Sequence, residues 1–374
     1  MTNWTVSPAL PADLVMDPNT GEITGSVNGV LANTTYTVTA THGSSGSGGS
    51  GSTFVNNSGT VGSAWYGGTT KIAVDSNGYK HITYHSGYSP YGMNYTTDVS
   101  GSWVTTPLVP DGGGFHDIAI DSNDKIHIVW RNSSNGNLTH LTNAGGSWVN
   151  TTVVSTSGGK VSMAIDSLDN LHISYYDSSP GYNGDLKYAN NIGGSWTINY
   201  TYTPNKAGEH NSITIDSNDD YHISYSVNAG GNRDVYYKSI GVNENLNNGC
   251  GSTSSVAVDS RGERYVICQE PSGGLIVSSC YDTAYNCNYL ASSWTTTNIT
   301  NYTGTGVVAA FDSNDYLHLA YTHNKTVYHS TNASGSWVHN VIDVPLQGGH
   351  YHNCLLYTSP SPRDVEESRM PSSA

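Results

Sequence analysis

The sequence predicts an all-β protein, a β-propeller of four-stranded blades preceded by a short β fragment. Two observations carry this prediction. A unit of 43 to 53 residues recurs six times, and each unit holds four short runs of β-branched and aromatic residues bounded by Gly, Asn, Asp or Ser. Four strands in a period of this length are typical of propeller blades, because one blade cannot bury both of its faces alone.

Composition agrees with strands and limits the partners. The 374 residues include 27 Tyr and only 3 Phe, and Tyr suits half-buried strand positions because its ring packs while its hydroxyl reaches water. The formal net charge is −15 without a cluster of Lys or Arg, so nucleic acid and anionic membranes would be repelled. No apolar run approaches the roughly 20 residues that span a bilayer. We therefore expect no nucleic-acid partner and no membrane insertion.

The N-terminal residues 1–42 carry three patterns, which are Ser7-Pro-Ala-Leu-Pro-Ala-Asp-Leu, Asp17-Pro-Asn-Thr-Gly-Glu-Ile-Thr-Gly and Thr35-Tyr-Thr-Val-Thr-Ala-Thr. They resemble the immunoglobulin-like modules, of the He-PIG type, that recur in prokaryotic surface proteins. The opening strand of that family is missing, so we expect Met1 to be an internal start or the boundary of a sequenced piece. Residues 43–52 are all Gly or Ser and predict a flexible linker to a propeller at 53–353.

Each propeller unit opens with an apolar-Ala-apolar-Asp run that leads into a turn. The turn aspartates are Asp75, Asp121, Asp166, Asp216, Asp259 and Asp312. Asp and Asn hydrogen-bond their own backbone and tolerate left-handed conformations, so a hairpin turn is the favoured interpretation. The alternative is Ca²⁺, since Asp-x-Asn-Asp is half of a carboxylate loop, although the later bidentate Glu is missing. We predict no cofactor and no metal site, with Ca²⁺ kept as the alternative.

A histidine falls six residues after five of these aspartates, and Tyr265 takes its place in the fifth unit. The histidines are His81, His127, His172, His222 and His318. Regularly placed imidazoles could indicate metal or catalytic chemistry. They belong to different blades, however, whereas catalysis needs one asymmetric constellation. We therefore interpret them as structural histidines that are hydrogen-bonded between blades.

Most units close on Gly-x-Trp, as in Asp98-Val-Ser-Gly-Ser-Trp and Asn143-Ala-Gly-Gly-Ser-Trp. In this repeat style, residues 53–353 resemble the BNR or sialidase-like repeats of large secreted prokaryotic proteins, mostly without the Asp of that family's box. Sialidase chemistry needs an arginine triad, a Tyr paired with Glu, and an acid. The arginines before residue 354 are Arg131, Arg233, Arg261 and Arg264, and the last two share one turn. We expect no enzymatic activity, and a truncated sialidase-like glycoside hydrolase is the alternative.

Ligand binding is expected where equivalent positions differ between blades, next to the loops. Ten and eleven residues after the turn aspartate, the units carry mutually different polar residues that follow a packing residue, usually an aromatic one. The candidate ligand-binding residues are His85, Trp130, Arg131, Tyr176, Asp177, Gln269, Glu270 and His323. Polar side chains beside aromatics are typical of surfaces that bind sugars or peptides. Ordinary variation of loops is the alternative.

Four cysteines lie within 38 residues of one another and lack the CxxC spacing of a metal site. They are Cys250, Cys268, Cys280 and Cys287. We predict local disulfides, with Cys280–Cys287 as the first choice, which leaves Cys250 with Cys268; three connectivities are open. Disulfides imply an oxidising compartment, so we expect an extracellular or cell-surface location.

The last residues, 354–374, are predicted not to belong to the natural protein. Cys354 to Asp364 back-translates to a transposase sequencing adapter, and Ser368 to Ala374 fits the primer that follows it, so this stretch is excluded from the fold prediction. Before it, Gly348-Gly-His-Tyr-His-Asn is similar to Gly113-Gly-Phe-His-Asp, which predicts the start of a seventh unit and a seven-bladed parent.

Together these features predict an extracellular, non-catalytic scaffold for binding or adhesion. It would recognise glycans or surface proteins through the loops of its blades, as a monomeric part of a larger polypeptide. A structural spacer within a surface protein is a further alternative.

Overall fold

The structure is a computed structural model that describes residues 2–7, 10, 14–16, 23–25, 37–42, 70–86, 92–110, 112–155, 158–179, 184–200, 207–229, 232–246, 250, 253–270, 274–280, 294–300, 304–324 and 326–343. The chain divides into two compact units, 1–49 and 50–374. In the first unit, β1 (Thr2–Ser7) pairs antiparallel with β4 (Thr37–His42), and β2 (Leu14–Met16) pairs antiparallel with β3 (Ile23–Gly25). The resemblance of this unit to immunoglobulin-like modules stays a prediction.

The second unit consists of six sheets, each of four antiparallel strands in chain order. Blade 1 has β5 (Thr70–Val74), β6 (Lys80–Ser86), β7 (Gly92–Thr97) and β8 (Val104–Val109). Blade 2 has β9 (His116–Ile120), β10 (Ile126–Arg131), β11 (Leu138–Thr142) and β12 (Val149–Val154). Blade 3 has β13 (Gly158–Ile165), β14 (Leu171–Asp177), β15 (Asp185–Asn190) and β16 (Thr197–Tyr200).

The remaining three blades repeat this order. Blade 4 has β17 (Ala207–Ile215), β18 (Tyr221–Ala229), β19 (Asn232–Ser239) and β20 (Val242–Asn245). Blade 5 has β21 (Ser254–Val258), β22 (Arg264–Gln269), β23 (Leu275–Cys280) and β24 (Thr295–Thr300). Blade 6 has β25 (Gly304–Phe311), β26 (Leu317–His323), β27 (Thr326–Thr331) and β28 (Val338–Asp343).

The first strands of the six blades surround a central channel, so the predicted all-β propeller is confirmed, with six blades. The segment that predicts the start of a seventh unit, 348–353, lies outside the described residues, so the seven-bladed parent stays a prediction. The adapter interpretation of 354–374 likewise concerns residues that the structure does not describe.

The hydrophobic core lies between the blades. Five clusters of buried apolar side chains each join one blade to the next, from blades 1 and 2 to blades 5 and 6. Alternate residues of a strand point to opposite faces of its sheet, so each blade contributes one face to each neighbour. Ile128 and Trp130, for example, pack towards blade 1, whereas Val129 packs towards blade 3.

The tryptophans that close the repeat pack onto the preceding blade. Trp148 meets Tyr95 edge-on with ring centroids 5.4 Å apart, and Trp196 meets His140 at 5.6 Å. The fourth unit lacks this tryptophan, and its Tyr221 stacks instead on Tyr188 of blade 3 at 4.5 Å. An aromatic contact between neighbouring blades is thus kept where the sequence signal is degenerate.

A disulfide joins Cys250 to Cys268, with the Cα atoms 5.8 Å apart. The sequence analysis gave the same pairing, as the consequence of joining Cys280 to Cys287. Cys268 occupies the strand position where other blades carry Tyr or Trp, so the disulfide fills that position in blade 5. Cys280 is buried, and Cys287 lies outside the described residues, so the pairing Cys280–Cys287 stays a prediction.

Candidate ligand-binding sites

The turn aspartates organise the first hairpin of every blade. In blade 3, Asp166 Oδ1 accepts the backbone N–H groups of Leu168 and Asn170 at 2.9 and 2.8 Å. The same two bonds, to the second and fourth residues after the aspartate, occur in the other five blades. These oxygens therefore act as turn acceptors, as turn chemistry requires.

A second carboxylate, three residues further on, links neighbouring blades. Asp124 has a left-handed φ of 56°, and its carboxylate accepts the N–H and the hydroxyl of Ser76 in blade 1 at 2.9 and 2.7 Å. Asp169, Asp219 and Asp315 make the same pair of bonds to Ser122, Ser167 and Ser260. We call these bonds the turn links. Within the described part of the chain, no group of three or more His, Cys, Asp or Glu is placed to hold a metal ion.

The repeated histidines form a relay inside every blade except blade 5. His172 Nε2 lies 3.1 Å from Asp166 Oδ2, and its Nδ1 is hydrogen-bonded to the Tyr188 hydroxyl at 2.6 Å. Blades 1 and 4 use Tyr95 and Tyr237 in the same way. The prediction of hydrogen bonds between blades was wrong, because all three members of the relay lie on the turn, second strand and third strand of one blade.

Two blades replace the tyrosine of the relay by a second histidine. His127 stacks on His140 in blade 2 with Nδ1 and Nε2 3.0 Å apart, and His318 pairs with His329 in blade 6 at 2.8 Å. Burial lowers the pKa of His140 to about 4, and the neighbouring His127 adds to the effect. Burial also raises the pKa of Tyr95 to about 12. Both partners thus stay neutral near pH 7 and serve as hydrogen-bonding packing residues.

Blade 5 departs from the relay. Tyr265 stands at the histidine position, and Arg261 Nη2 donates to Asp259 Oδ2 at 2.6 Å in its place. Arg264, from the same hairpin, lies over the ring of Tyr237 with its Cζ 5.8 Å from the centroid. These two arginines are therefore framework contacts of blades 4 and 5, and the side chain of Arg233 lies outside the part of the chain that the structure describes.

The first strands carry a second series of bonds between blades, which we call the strand links. They come from one aligned position, occupied by Lys71, Asp117, Ser162, Ser212, Ser255 and Val308 in blades 1 to 6. Asp117 Oδ2 accepts the N–H of Met163 in blade 3 at 3.0 Å. The three serine hydroxyls accept the N–H of Ile213, Val256 and Ala309 at 3.4, 3.4 and 3.0 Å. Lys71 Nζ lies 3.2 Å from Asp117 Oδ1.

The central channel encloses a cavity of about 330 Å³ that all six first strands line. Among the described residues, its charged lining consists of Lys71, Asp117 and Lys160, and its histidines are His116 and His210. Lys160 Nζ donates to His210 Nδ1 at 2.7 Å. His116 is buried, which lowers its pKa to about 4, and its Nδ1 is bonded to the Gly113 carbonyl at 2.7 Å. The described lining therefore holds one carboxylate, which is paired with Lys71, and a second ammonium group on Lys160.

The structure buries two of the eight ligand-binding residues predicted from the sequence. Trp130 is 2% exposed, and its Nε1 donates to Asn150 Oδ1 at 3.2 Å, so it is a core residue. Asp177 is also buried, and Tyr176 packs against Gly159 and Gly184, where a Cβ would collide with its ring. The remaining five are half-buried on four blades, namely His85, Arg131, Gln269, Glu270 and His323. Arg131 points to the opposite face of blade 2 from Trp130, because the two are consecutive in β10.

A cleft of about 340 Å³ lies between the end of blade 1 and the outer half of blade 2. Its lining residues are Val109, Pro110, Trp130, Asn132, Ser134, Asn135, Asn137, Thr139, Asn150, Thr151 and Thr152. This lining is uncharged and rich in amides and hydroxyls, which both donate and accept hydrogen bonds. Such a surface matches the hydroxyl groups of a neutral sugar, and its volume lies in the range of small-ligand sites.

Among the candidate residues of the sequence analysis, only Trp130 lines this cleft. The missed signal was the asparagine-rich loop at 132–137, which has no counterpart in the other units. The sequence analysis also missed Lys71, Lys160 and His210, which stand at first-strand positions where the other units carry different residues.

Comparison with known proteins shows the fold. No protein-family model matches the chain, and no curated protein does. A variant of the Aleuria aurantia lectin in complex with Fucα1-6GlcNAc is 13% identical, with a TM-score of 0.51 over 77% of this chain and 99% of that chain. A variant of AofleA from Arthrobotrys oligospora is 12% identical, with a TM-score of 0.51 over 74% and 87%.

A polysaccharide lyase, Uly1, is also similar, with 9% identity and a TM-score of 0.50 over 74% of this chain and 81% of that chain. At such identities the similarity concerns the fold alone. The solved neighbours thus include both a lectin and an enzyme that act on carbohydrates. Within the described ranges, no helix is long and apolar enough to cross a membrane.

Proposed function

We propose that the propeller is a non-catalytic carbohydrate-binding module, with its site in the cleft between blades 1 and 2. The observation that carries the proposal is the uncharged lining of amides and hydroxyls around the buried edge of an indole ring. Sugar hydroxyls pair with neutral donors and acceptors, so their burial in such a lining leaves few polar groups without a partner. The lectin among the structural neighbours supports the same class of ligand.

The channel supports binding rather than hydrolysis as the activity. Most glycosidases act through a pair of carboxyl groups, one of them with a raised pKa. The channel carboxylate that the structure describes is Asp117, and it is held by Lys71 and by the N–H of Met163. A carboxylate whose two oxygens are held in these contacts is poorly placed to serve as a general acid.

We further propose an extracellular or cell-surface location, as one part of a larger polypeptide. The disulfide between Cys250 and Cys268 supports an oxidising compartment. Quantitative thiol labelling of the protein purified from cells of its source would contradict this location if both cysteines were found reduced.

A neutral-glycan array tests the proposed site. The double variant Ser134→Ala with Thr152→Val removes two hydroxyls from the cleft and leaves its volume nearly unchanged. We expect it to lose at least about tenfold in retention on glycans that bind the wild type, since unpaired sugar hydroxyls are costly when buried. Thr106→Val is the matched control, because Thr106 is an exposed threonine on the outer strand of blade 1.

Retention by the wild type and by Thr106→Val, together with its loss in the double variant at an unchanged thermal midpoint, would support the site. Equal retention by all three proteins would overturn the cleft as the site. Absence of retention for the wild type on every glycan would favour the spacer interpretation and overturn the proposed function.

A further inference from the structure

The mouth of the central channel carries a positive charge that the repeat does not require. Lys160 stands on the first strand of blade 3, at a position that is Phe115 in blade 2, Thr253 in blade 5 and Gly306 in blade 6. Those blades form the same strand and the same channel wall without a cation. The fold therefore does not require a cation at this position, and the lysine is available for another role.

The geometry around Lys160 orients its charge. Its Nζ donates to His210 Nδ1 at 2.7 Å, so the imidazole holds the ammonium group in place. Glu209 directly precedes His210 in the chain. It is exposed and acts electrostatically on Tyr176, and it does not belong to the cavity lining. Lys160 and His210 thus bring an ammonium group and an imidazole to one side of the channel.

The charge of the described lining is one positive unit, from Lys71 and Lys160 against Asp117, since buried His116 stays neutral near pH 7. The chain as a whole has a formal charge of −15, so this channel is an exception to its surroundings. A narrow cavity with low-dielectric walls focuses the field of such a charge along its axis. The single excess charge fits a monoanion better than a dianion.

We propose that the channel mouth binds a monoanionic group of a saccharide, either the carboxylate of a uronic acid or a sulfate ester. Lys160 makes the charge-assisted contact and His210 fixes its ammonium group, whereas Lys71 is paired with Asp117. The cavity of about 330 Å³ accommodates one sugar residue. The saccharide as carrier rests on the proposed function, whereas the preference for an anion rests on the channel alone.

Calorimetric titration of the full chain with trigalacturonate, 6-sulfated galactotriose and neutral galactotriose tests the proposal. We expect the two acidic ligands to bind, with an affinity that falls as salt screens the contact. Lys160→Gln keeps a donor for His210 but removes the charge, and it is expected to weaken acidic ligands by about tenfold or more. Lys160→Arg keeps the charge and should stay within about threefold of the wild type.

Lys125→Met is the matched control, since it removes one lysine charge at the hairpin turn, at the other end of the first strand of blade 2. It should leave binding of the acidic ligands unchanged. Equal affinity for neutral and acidic galactotriose, or equal weakening by Lys125→Met and Lys160→Gln, would overturn the anion site and leave the proposed function standing. Binding of methyl sulfate, a monoanion, that depends on Lys160, with no saccharide bound, would support the anion site and contradict the proposed function.

Discussion

Two junctions of the ring differ sharply in how they are held. Between blades 2 and 3, the carboxylate of Asp169 accepts two bonds from Ser122, and Asp117 accepts the N–H of Met163. Between blades 6 and 1, the equivalent positions are Gly78 and Val308, whose side chains have no acceptor to offer. The first strand of blade 1 is half-buried along its whole length, whereas that of blade 2 begins with three buried residues.

This difference indicates that turn links and strand links can be present or absent independently at each junction. Each turn link needs an aspartate that reaches the preceding blade, and each strand link needs an acceptor that reaches the following one, so a single substitution removes either. In repeat proteins, stability is approximately a sum of repeat terms and nearest-neighbour interface terms. The strength of a junction should then follow from two aligned positions of the repeat, and the junction between blades 6 and 1 is the expected weak point.

The largest effect is expected from breaking the strand link at blade 2. Asp117→Ala leaves Lys71 and the N–H of Met163 without their acceptor, and loss of one partner of a largely buried pair costs about 3 kcal/mol of unfolding free energy. Urea titration of the purified protein measures this loss. Asp117→Ser is the control, because serine fills this position in blades 3 to 5, and it should recover part of the loss.

If Asp117→Ala and Asp117→Ser unfold at the same urea concentration, the strand link contributes nothing, and only the ion pair with Lys71 matters. If both match the wild type, the comparison of the two junctions loses its energetic basis.

Acid should weaken the junction between blades 2 and 3 more than the junction between blades 1 and 2. His140, which contacts Trp196 of blade 3, has a pKa lowered to about 4 by burial and by His127, so the unfolded chain takes up the proton first. The free energy of unfolding that this histidine contributes is therefore complete above pH 6.5 and is lost as the pH falls towards 4. We expect a loss of about 2 kcal/mol once screening by solvent is allowed for. At the junction between blades 1 and 2, Tyr95 replaces this histidine and stays neutral.

The variant His140→Tyr copies the relay of blades 1, 3 and 4. It should lose less unfolding free energy than the wild type between pH 7 and pH 4, measured by urea titration at each pH. Tyr188→His is the opposite change in blade 3 and should lose more. Identical pH profiles for the wild type and His140→Tyr would contradict the assignment of acid sensitivity to the histidine pair.

Much of this framework could be predicted from the sequence, because a repeat displays its own alignment. The recurring Asp and Ser indicated the turns, and the count of units matched the number of blades. The partners of the histidines could not be predicted, since they lie on the next strand at distances along the chain that vary from 11 to 16 residues. The relay was assigned to contacts between blades because spacing along one strand does not reveal which strand supplies the partner.

The candidate sites were harder to predict for a related reason. Residues at the end of a second strand alternate between the two faces of the blade, so Trp130 and Arg131 could not share a surface. The cleft draws on the end of β8 and on further strands of blade 2, and the channel draws on the first strands of different blades. Sites assembled from such distant segments carry no common spacing in the sequence.

Removing a turn link should have a smaller effect than removing the strand link. Asp169→Gly deletes the acceptor of two bonds from Ser122, but glycine relieves the left-handed backbone, which has a φ of 65° at Asp169. The two effects partly cancel, so we expect a loss of about 1 kcal/mol in urea titration. The double variant Ser122→Ala with Asp169→Gly should lose little more, because both members of one link are then absent. Additive losses would show that the two residues do not act together.

The smallest expected effect is a repair of the weak junction by Gly78→Asp. Gly78 has a φ of 82° and open space where a Cβ would stand, and aspartate holds the equivalent site in four other blades. The new carboxylate would accept the N–H and hydroxyl of Ser313 in blade 6, as Asp124 does for Ser76. The gain from these bonds exceeds the cost of the left-handed conformation slightly, by about 0.5 kcal/mol.

Gly146→Asp measures that conformational cost alone, because Gly146 has a φ of 85° in an exposed turn with the same free space. The difference in unfolding free energy between the two variants is therefore the value of one turn link at the junction of blades 6 and 1. We expect Gly78→Asp to be the more stable of the two by about 1 kcal/mol. Equal destabilisation by both substitutions would mean that Ser313 is not within reach of position 78, and that the turn links are confined to the junctions where the structure already shows them.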